Sequence, residues 1–416
     1  MLANRRTPIL LLIAAFFIRL FYVFAYPVGD SIRSDIKNYV EIGEMITNGV
    51  WLENHFFQPI GFPMLLGGFQ LVAVDWPFWF GIFQVVLSTL TLSICWLVTK
   101  RCFGTSLATK SLFVGTFHLP WIAYTGFALT ETIFTFLLSI LALFSLKIIR
   151  TPQGKNSVLW GITYAVAMWF KSTHALLLPL FLFFSFKSKM NSSGKLWLKS
   201  IAMPILLVFL VSMVAHGLLT LQTIGKFQMG PSAAGFNLVE GKCPTKRNID
   251  ADGKEWMSPL YFQLGHRASK KWDFRVTESR EFFWEGLKCI GDNPFTLVTS
   301  IENVGFLFTG NFLWPVNQLG LKNFAQLYDL VFAIFSIVGL SVFFLLCWRS
   351  VDKELISIWA LPIISLFLCV YIFKSEIRFR LPFDVWIIPA ALAGWNFIFA
   401  ALRANSPTLP AHESRS

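Results

Sequence analysis

The polar residues of this chain are few, and several fall where apolar sequence surrounds them. Near the start, GDSIRSDIKNYVEIGEMITNGVWLENHFFQPIGFP holds Asp30, Asp35, Glu41, Glu44 and Glu53 against Arg33 and Lys37. A carboxylate is the group that takes a proton from a weak oxygen nucleophile. Asp35 and Tyr39 are four residues apart, so a helix over this stretch would set them on one face. A charged surface helix would carry the same residues, and both readings stay open at this point. Glu131 opens an apolar run and Lys171 interrupts another, while Arg19 lies inside a third. Ionised groups in such places are costly and mark functional positions, although a helix start suits Glu131 and a snorkelling turn suits Lys171 equally well. Near the end, FKSEIRFRLPFD places Lys374, Glu376, Arg378 and Arg380 together. Guanidinium forks match phosphate oxygens, and Glu376 is placed to orient one of them.

The elements that must position these residues follow from composition. Of 416 residues, 55% are hydrophobic and 14% charged, with 45 Phe and 16 Trp. That balance excludes a water-soluble globular chain and points to an all-α polytopic membrane protein. Runs of about 20 apolar residues are needed to cross the hydrocarbon. Ten candidates occur: 8–26, 77–98, 107–124, 128–148, 157–170, 173–187, 199–221, 327–348, 355–373 and 381–402. Only Lys171 and Ser172 separate the fifth from the sixth, so these two meet in a tight hairpin or form one bent helix.

The net charge of +12 would suggest nucleic acid in a soluble protein, but here it reads as topology. With the N-terminus inside, segments assigned to the cytoplasm carry +13 and everything else −1, as positive-inside statistics require. The expectation is a multi-pass protein of the inner (plasma) membrane with both termini cytoplasmic. Residues 27–76, the loop 222–326 and the turns at Glu131, Lys171 and 376–380 then share the outer side. The apolar stretches 60–74 and 295–313 are read as interfacial, because counting the first as a span would invert every later loop. The basic cluster at Arg378 and Arg380 lies on the wrong side for a topology signal, and binding an anionic group explains it.

The layout divides into a membrane module 1–221 with its first outer loop 27–76, an extracytoplasmic loop or subdomain 222–326, C-terminal membrane helices 327–403, and a polar tail 404–416 read as disordered. The long loop carries Cys243 and Cys289, which could pair on an oxidising side. Its His266 and Arg267, with Lys270 and Lys271, form a basic patch suited to an acceptor or to plain solvation. No zinc-protease, Walker, dinucleotide or C-x-x-C pattern occurs. Nothing in the sequence requires a cofactor, and a divalent metal is not excluded.

Together, Asp35-x-x-x-Tyr39, Gln58-Pro59-Ile60-Gly61-Phe62-Pro63, Leu129-Thr130-Glu131-Thr132, the Lys171 turn and Arg378-Phe379-Arg380-Leu381-Pro382 resemble the GT-C glycosyltransferases. The relatives in question are the protein O-mannosyltransferases and the lipid A aminoarabinose transferases. The resemblance covers the first 220 residues in layout and the last 45 in motif. It implies a GT-C-like architecture of about ten transmembrane helices and a polyprenyl-phosphate sugar as donor. It also implies transfer at the outer leaflet to a lipid, glycan or protein acceptor, with membrane lipids as surroundings and no nucleic acid. Asp35 matches the acidic position at the reaction centre, and Glu131 and Lys171 match polar cavity positions. The relatives carry Arg before the Tyr and Lys before the first Pro, where this chain has Asn38 and Gln58. Donor binding then falls to Arg19, Arg33, Lys37, Tyr39, Glu131, Lys171, Glu376, Arg378 and Arg380. An O-antigen ligase or polymerase, with its chemistry in the long loop, and a lipid-linked sugar flippase are the competing expectations.

Overall fold

The structure, a computed structural model, describes residues 6–33, 35–189, 194–242, 276–292, 294–308, 312–313, 322–347 and 353–404. Regular structure among the described residues is entirely helical, as expected where lipid leaves backbone polar groups no partner outside their own segment. The helices are α1 (Arg6–Ala25), α2 (Asp35–Thr47), α3 (Gly61–Val72), α4 (Trp76–Thr116), α5 (Glu131–Arg150), α6 (Gly154–Phe170), α7 (Leu177–Lys189), α8 (Met203–Ile224), α9 (Ala233–Lys242), α10 (Val276–Asp292), α11 (Lys322–Val342), α12 (Lys353–Ile372) and α13 (Asp384–Ala404).

Among the described residues six helices are long and apolar enough to cross a membrane, against about ten expected spans. Part of the difference lies in α4, which joins two expected spans. Gly104 breaks it with φ of 86°, a left-handed conformation that glycine adopts at no steric cost. The legs fold back on each other: a Cβ on Gly115 would stand 2.6 Å from Leu92 Cδ2. For α6, with 17 residues, and for α7 the difference is length. Helix α7 has 13 residues, a rise of about 20 Å. Residues 157–187 form two helices rather than one bent one, because Lys171 leaves α6 with extended backbone (φ −161°, ψ 134°).

Helix α3 rises about 18 Å over its 12 residues, too short to span. It packs instead on α2, and Gly43 and Gly67 allow the approach: a Cβ on Gly67 would meet the Gly43 carbonyl oxygen at 2.8 Å. Residues 295–306 form two short helical turns, also too short to cross. The central core gathers around Trp160, Trp359 and Trp386, each wholly buried. Trp160 stacks on Phe181 with ring centroids 4.6 Å apart and on Tyr164 at 5.2 Å.

Arg19 belongs to this framework. It is fully buried, and its Nε donates to Ser88 Oγ on the first leg of α4 at 2.7 Å. Its Nη atoms donate to the carbonyls of Ala15, Thr116 and Gly115. Four of its five N–H donors are spent on α1 and both legs of the hairpin, so the structure shows Arg19, expected at the donor, holding the bundle together.

Candidate active site

Three chain reversals deliver the site. Asp35 is the first residue of α2, Glu131 the first of α5, and Lys171 the residue at which α6 ends. The α3 start locks against the last of these: a Cβ on Gly61 would clash with the Trp169 carbonyl at 2.7 Å, so only glycine brings the first outer loop so near the Lys171 turn. The fourth contribution is the short helix Ile377–Arg380 ahead of α13.

Arg378 joins the distant ends of the chain. Its Nη1 donates to Asp35 Oδ2 at 2.7 Å and its Nε to Glu376 Oε2 at 2.5 Å. Lys374 Nζ closes on Glu376 Oε1 at 3.1 Å. Burial pushes the Glu376 carboxyl up, but Arg378 and Lys374 outweigh it and hold it at about 2. Beside these four residues, Lys171 Nζ donates to Glu131 Oε1 at 2.6 Å. Burial draws the Lys171 ammonium below the ordinary lysine value, against the opposing pull of Glu131. Phe379 links the two groups, with Lys171 Nζ 5.3 Å and the Arg378 guanidinium 6.0 Å from its ring centre, within cation–π range. Tyr39 lies edge-on to Phe62 at 5.1 Å, and burial raises its phenol so that it stays protonated.

The cluster thus sets Asp35, Glu131 and Glu376 against Lys171, Lys374 and Arg378. Formal charges cancel, and the arrangement offers one half-buried carboxylate, 23% exposed, held by an arginine that is 13% exposed. Chemically this is a proton acceptor beside a cationic site able to take phosphate oxygens.

Arg33 and Lys37 are exposed, and Lys37 pairs with Glu41 on its own helix at 3.6 Å. Arg380 is fully buried. It sits 3.3 Å from Asp384 and 3.4 Å from Asp329 and donates to the Leu307 carbonyl, with the Phe332 ring centre 4.7 Å from its guanidinium. It therefore anchors the helix that carries Arg378 and offers no fork to a phosphate. His266, Arg267 and Cys243 lie outside the described residues. Cys289 is disulfide-bonded. Among the described residues no three His, Cys, Asp or Glu side chains are placed to hold a metal ion.

Behind Arg380 lies a network whose residues have no part in the sequence expectations above. His118 Nε2 contacts Asp384 Oδ2 at 2.9 Å and its Nδ1 contacts the Tyr328 hydroxyl at 2.9 Å, while Asp329 Oδ2 accepts the Phe312 backbone N–H. The signal was available: His118, Asp329 and Asp384 are ionisable residues in apolar surroundings, the same criterion that singled out Arg19.

Residues 58–216 match the model of the dolichyl-phosphate-mannose-protein mannosyltransferase family. No curated protein matches the chain in sequence. Among solved structures, the archaeal oligosaccharyltransferase AglB from Archaeoglobus fulgidus, in complex with an inhibitory peptide and a dolichol-phosphate, shares the fold. Its TM-score is 0.52 at 14% identity over 98% of this chain and 52% of that one. ArnT from Cupriavidus metallidurans, bound to undecaprenyl phosphate, matches at TM-score 0.41 and 15% identity over 96% of this chain and 80% of that one. The chain spans about half the length of the archaeal enzyme. In sequence over residues 58–216, and in fold over nearly its whole length, this helical membrane protein resembles the GT-C glycosyltransferases, as its motifs imply.

Proposed function

We propose that the protein is a membrane glycosyltransferase that moves a sugar from a polyprenyl-phosphate donor to an acceptor hydroxyl at the outer face of the inner membrane. The observation that carries this reading is the Asp35–Arg378 contact of 2.7 Å beside the Lys171–Glu131 pair. It sets a base next to cations at the mouth of a helical bundle. The family match over residues 58–216 supports a lipid-phosphate sugar as donor, and the dolichol-phosphate named for the archaeal structure accords with it.

In the mechanism, the donor phosphate competes with Asp35 for Arg378. As the guanidinium turns to phosphate oxygens, the Asp35 carboxylate is released to accept a hydrogen bond from the acceptor hydroxyl. The acceptor oxygen attacks the anomeric carbon from the face opposite the phosphate, its proton passes to Asp35, and the bond from the anomeric carbon to the phosphate oxygen breaks. Configuration inverts in this single displacement. Charge developing on the departing polyprenyl phosphate is met by Arg378 and Lys171, and Glu376 keeps Arg378 aimed.

The test is mass spectrometry of envelope lipids and glycans from cells with the gene, without it, and with Asp35→Asn in its place. The reading expects one sugar to vanish from a glycan or lipid and the polyprenyl-phosphate sugar to accumulate, in the deletion and in the variant alike. A flippase would be complemented by Asp35→Asn. A ligase with its chemistry in the long loop would lose activity in His266→Ala or Arg267→Ala and keep it in Asp35→Asn.

A further inference from the structure

We propose that the end of the bundle opposite the candidate active site binds an anionic glycerophospholipid in a cleft between α1, the two legs of α4 and α13. The cleft is an open groove of about 1300 Å³, above the ~300–1,000 Å³ of ordinary small-molecule pockets. Its walls divide by chemistry. Ile9, Leu12, Leu97 and Phe113 present an apolar slot, and Ile9, Leu97 and Phe113 are all exposed. Lys100, Thr105, Ser106, Thr109 and Lys110, grouped about the Gly104 turn, supply cations and hydroxyls at one end.

The charge at that end is uncompensated. Among the described residues neither lysine meets a carboxylate: Lys110 Nζ contacts the Asn396 amide oxygen at 3.0 Å, and Lys100 Nζ lies over the Trp96 ring at 4.7 Å. Among the same residues no acidic side chain lines the cleft. A lipid with a phosphate-bearing head and two acyl chains satisfies both walls at once: its phosphate takes the two ammonium groups and its chains fill the slot. A neutral zwitterionic headgroup would bring its own cation against Lys100 and Lys110, and a free phosphate would leave the slot empty. Basic pockets between membrane helices select anionic headgroups on these grounds. The inference stands on the cleft alone and does not depend on the proposed transfer reaction.

The experiment is native mass spectrometry of the full-length protein in detergent. Phosphatidylglycerol, phosphatidylcholine, undecaprenyl phosphate and inorganic phosphate are added separately, to wild type, to Lys100→Ala/Lys110→Ala and to Lys100→Arg/Lys110→Arg. Wild type is expected to retain phosphatidylglycerol in preference to phosphatidylcholine. The double alanine variant loses that preference by about 30-fold in relative affinity, the combined effect of two basic residues at an anionic headgroup, and the double arginine variant keeps it. A thermal melt checks that both variants are folded. Equal retention of the two phospholipids by wild type, an unchanged preference in the folded alanine variant, or a loss of undecaprenyl phosphate or inorganic phosphate in that variant larger than its loss of phosphatidylglycerol would each overturn the proposal.

Discussion

Replacing Lys171 by Met removes one member of a buried ion pair and strands the other. Lys171 Nζ and Glu131 Oε1 are 2.6 Å apart, and the side chains are 11% and 3% exposed. At an effective dielectric of ~20 the gross attraction at this separation is about 6 kcal/mol. Taking the two ions out of water costs several kcal/mol each, which brings the net worth of the pair close to that of an apolar pair of similar size. Removing the lysine leaves a carboxylate with a long hydrogen bond in its place: Thr130 Oγ1 reaches Glu131 Oε2 at 3.4 Å. Lys171→Met should therefore destabilise the protein by about 3–5 kcal/mol. Glu131→Leu should cost less than this, because burial already draws the Lys171 ammonium down and an unpaired lysine can give up its proton. The double variant Glu131→Leu/Lys171→Met should return to within about 1–2 kcal/mol of wild type. Reversible denaturant unfolding in micelles measures all four corners of the cycle. A double variant as unstable as the two single losses added together would refute the reasoning, since the residues would then act independently.

Arg378→Ala should weaken donor binding by about ten-fold or more while leaving the fold intact, measured as donor KM; an unchanged KM would count against its contact with phosphate. Arg380→Met removes the cation between Asp329 and Asp384, leaving them the Phe312 N–H and His118, and should lower stability by about 3–5 kcal/mol, seen as a large drop in melting temperature. The Glu376 carboxyl, held at about 2, contributes stability that is fully present above the unfolded value of 4.5 and is lost as pH falls from there through about 2. The stability gap between wild type and Glu376→Gln should accordingly stay constant from about pH 7 to pH 5 and narrow below about pH 4.5.

The helices were legible because apolar length is a property of sequence alone. Each of the ten apolar runs has a helical counterpart, and what the runs did not disclose was how a turn is made. Gly104 looks like any glycine until its φ of 86° is seen to fold α4 back on itself. The site was legible in parts. Asp35 and Tyr39 were placed on one face by their spacing, but the partner of Asp35 lies 343 residues away, and no local pattern encodes such a contact. Arg378 and Arg380 looked equivalent as sequence. Two residues apart on a helix of 3.6 residues per turn, they point about 200° apart, so one reaches Asp35 and the other turns into the core toward Asp329 and Asp384. Arg19 misled for a related reason. A buried cation needs partners, and backbone carbonyls at the Gly115–Thr116 end of α4 serve as well as a ligand.

The central claim is that Asp35 takes the proton of the acceptor while Arg378 holds the donor phosphate. It is tested most directly by purifying Asp35→Asn, confirming its melting temperature, and measuring donor affinity and turnover side by side with wild type. Loss of general-base assistance should lower turnover by about 10²–10⁴-fold. Donor affinity should be equal or improved, because the neutral amide of the variant no longer competes as an anion for Arg378. Turnover close to that of wild type in the folded variant would contradict the account.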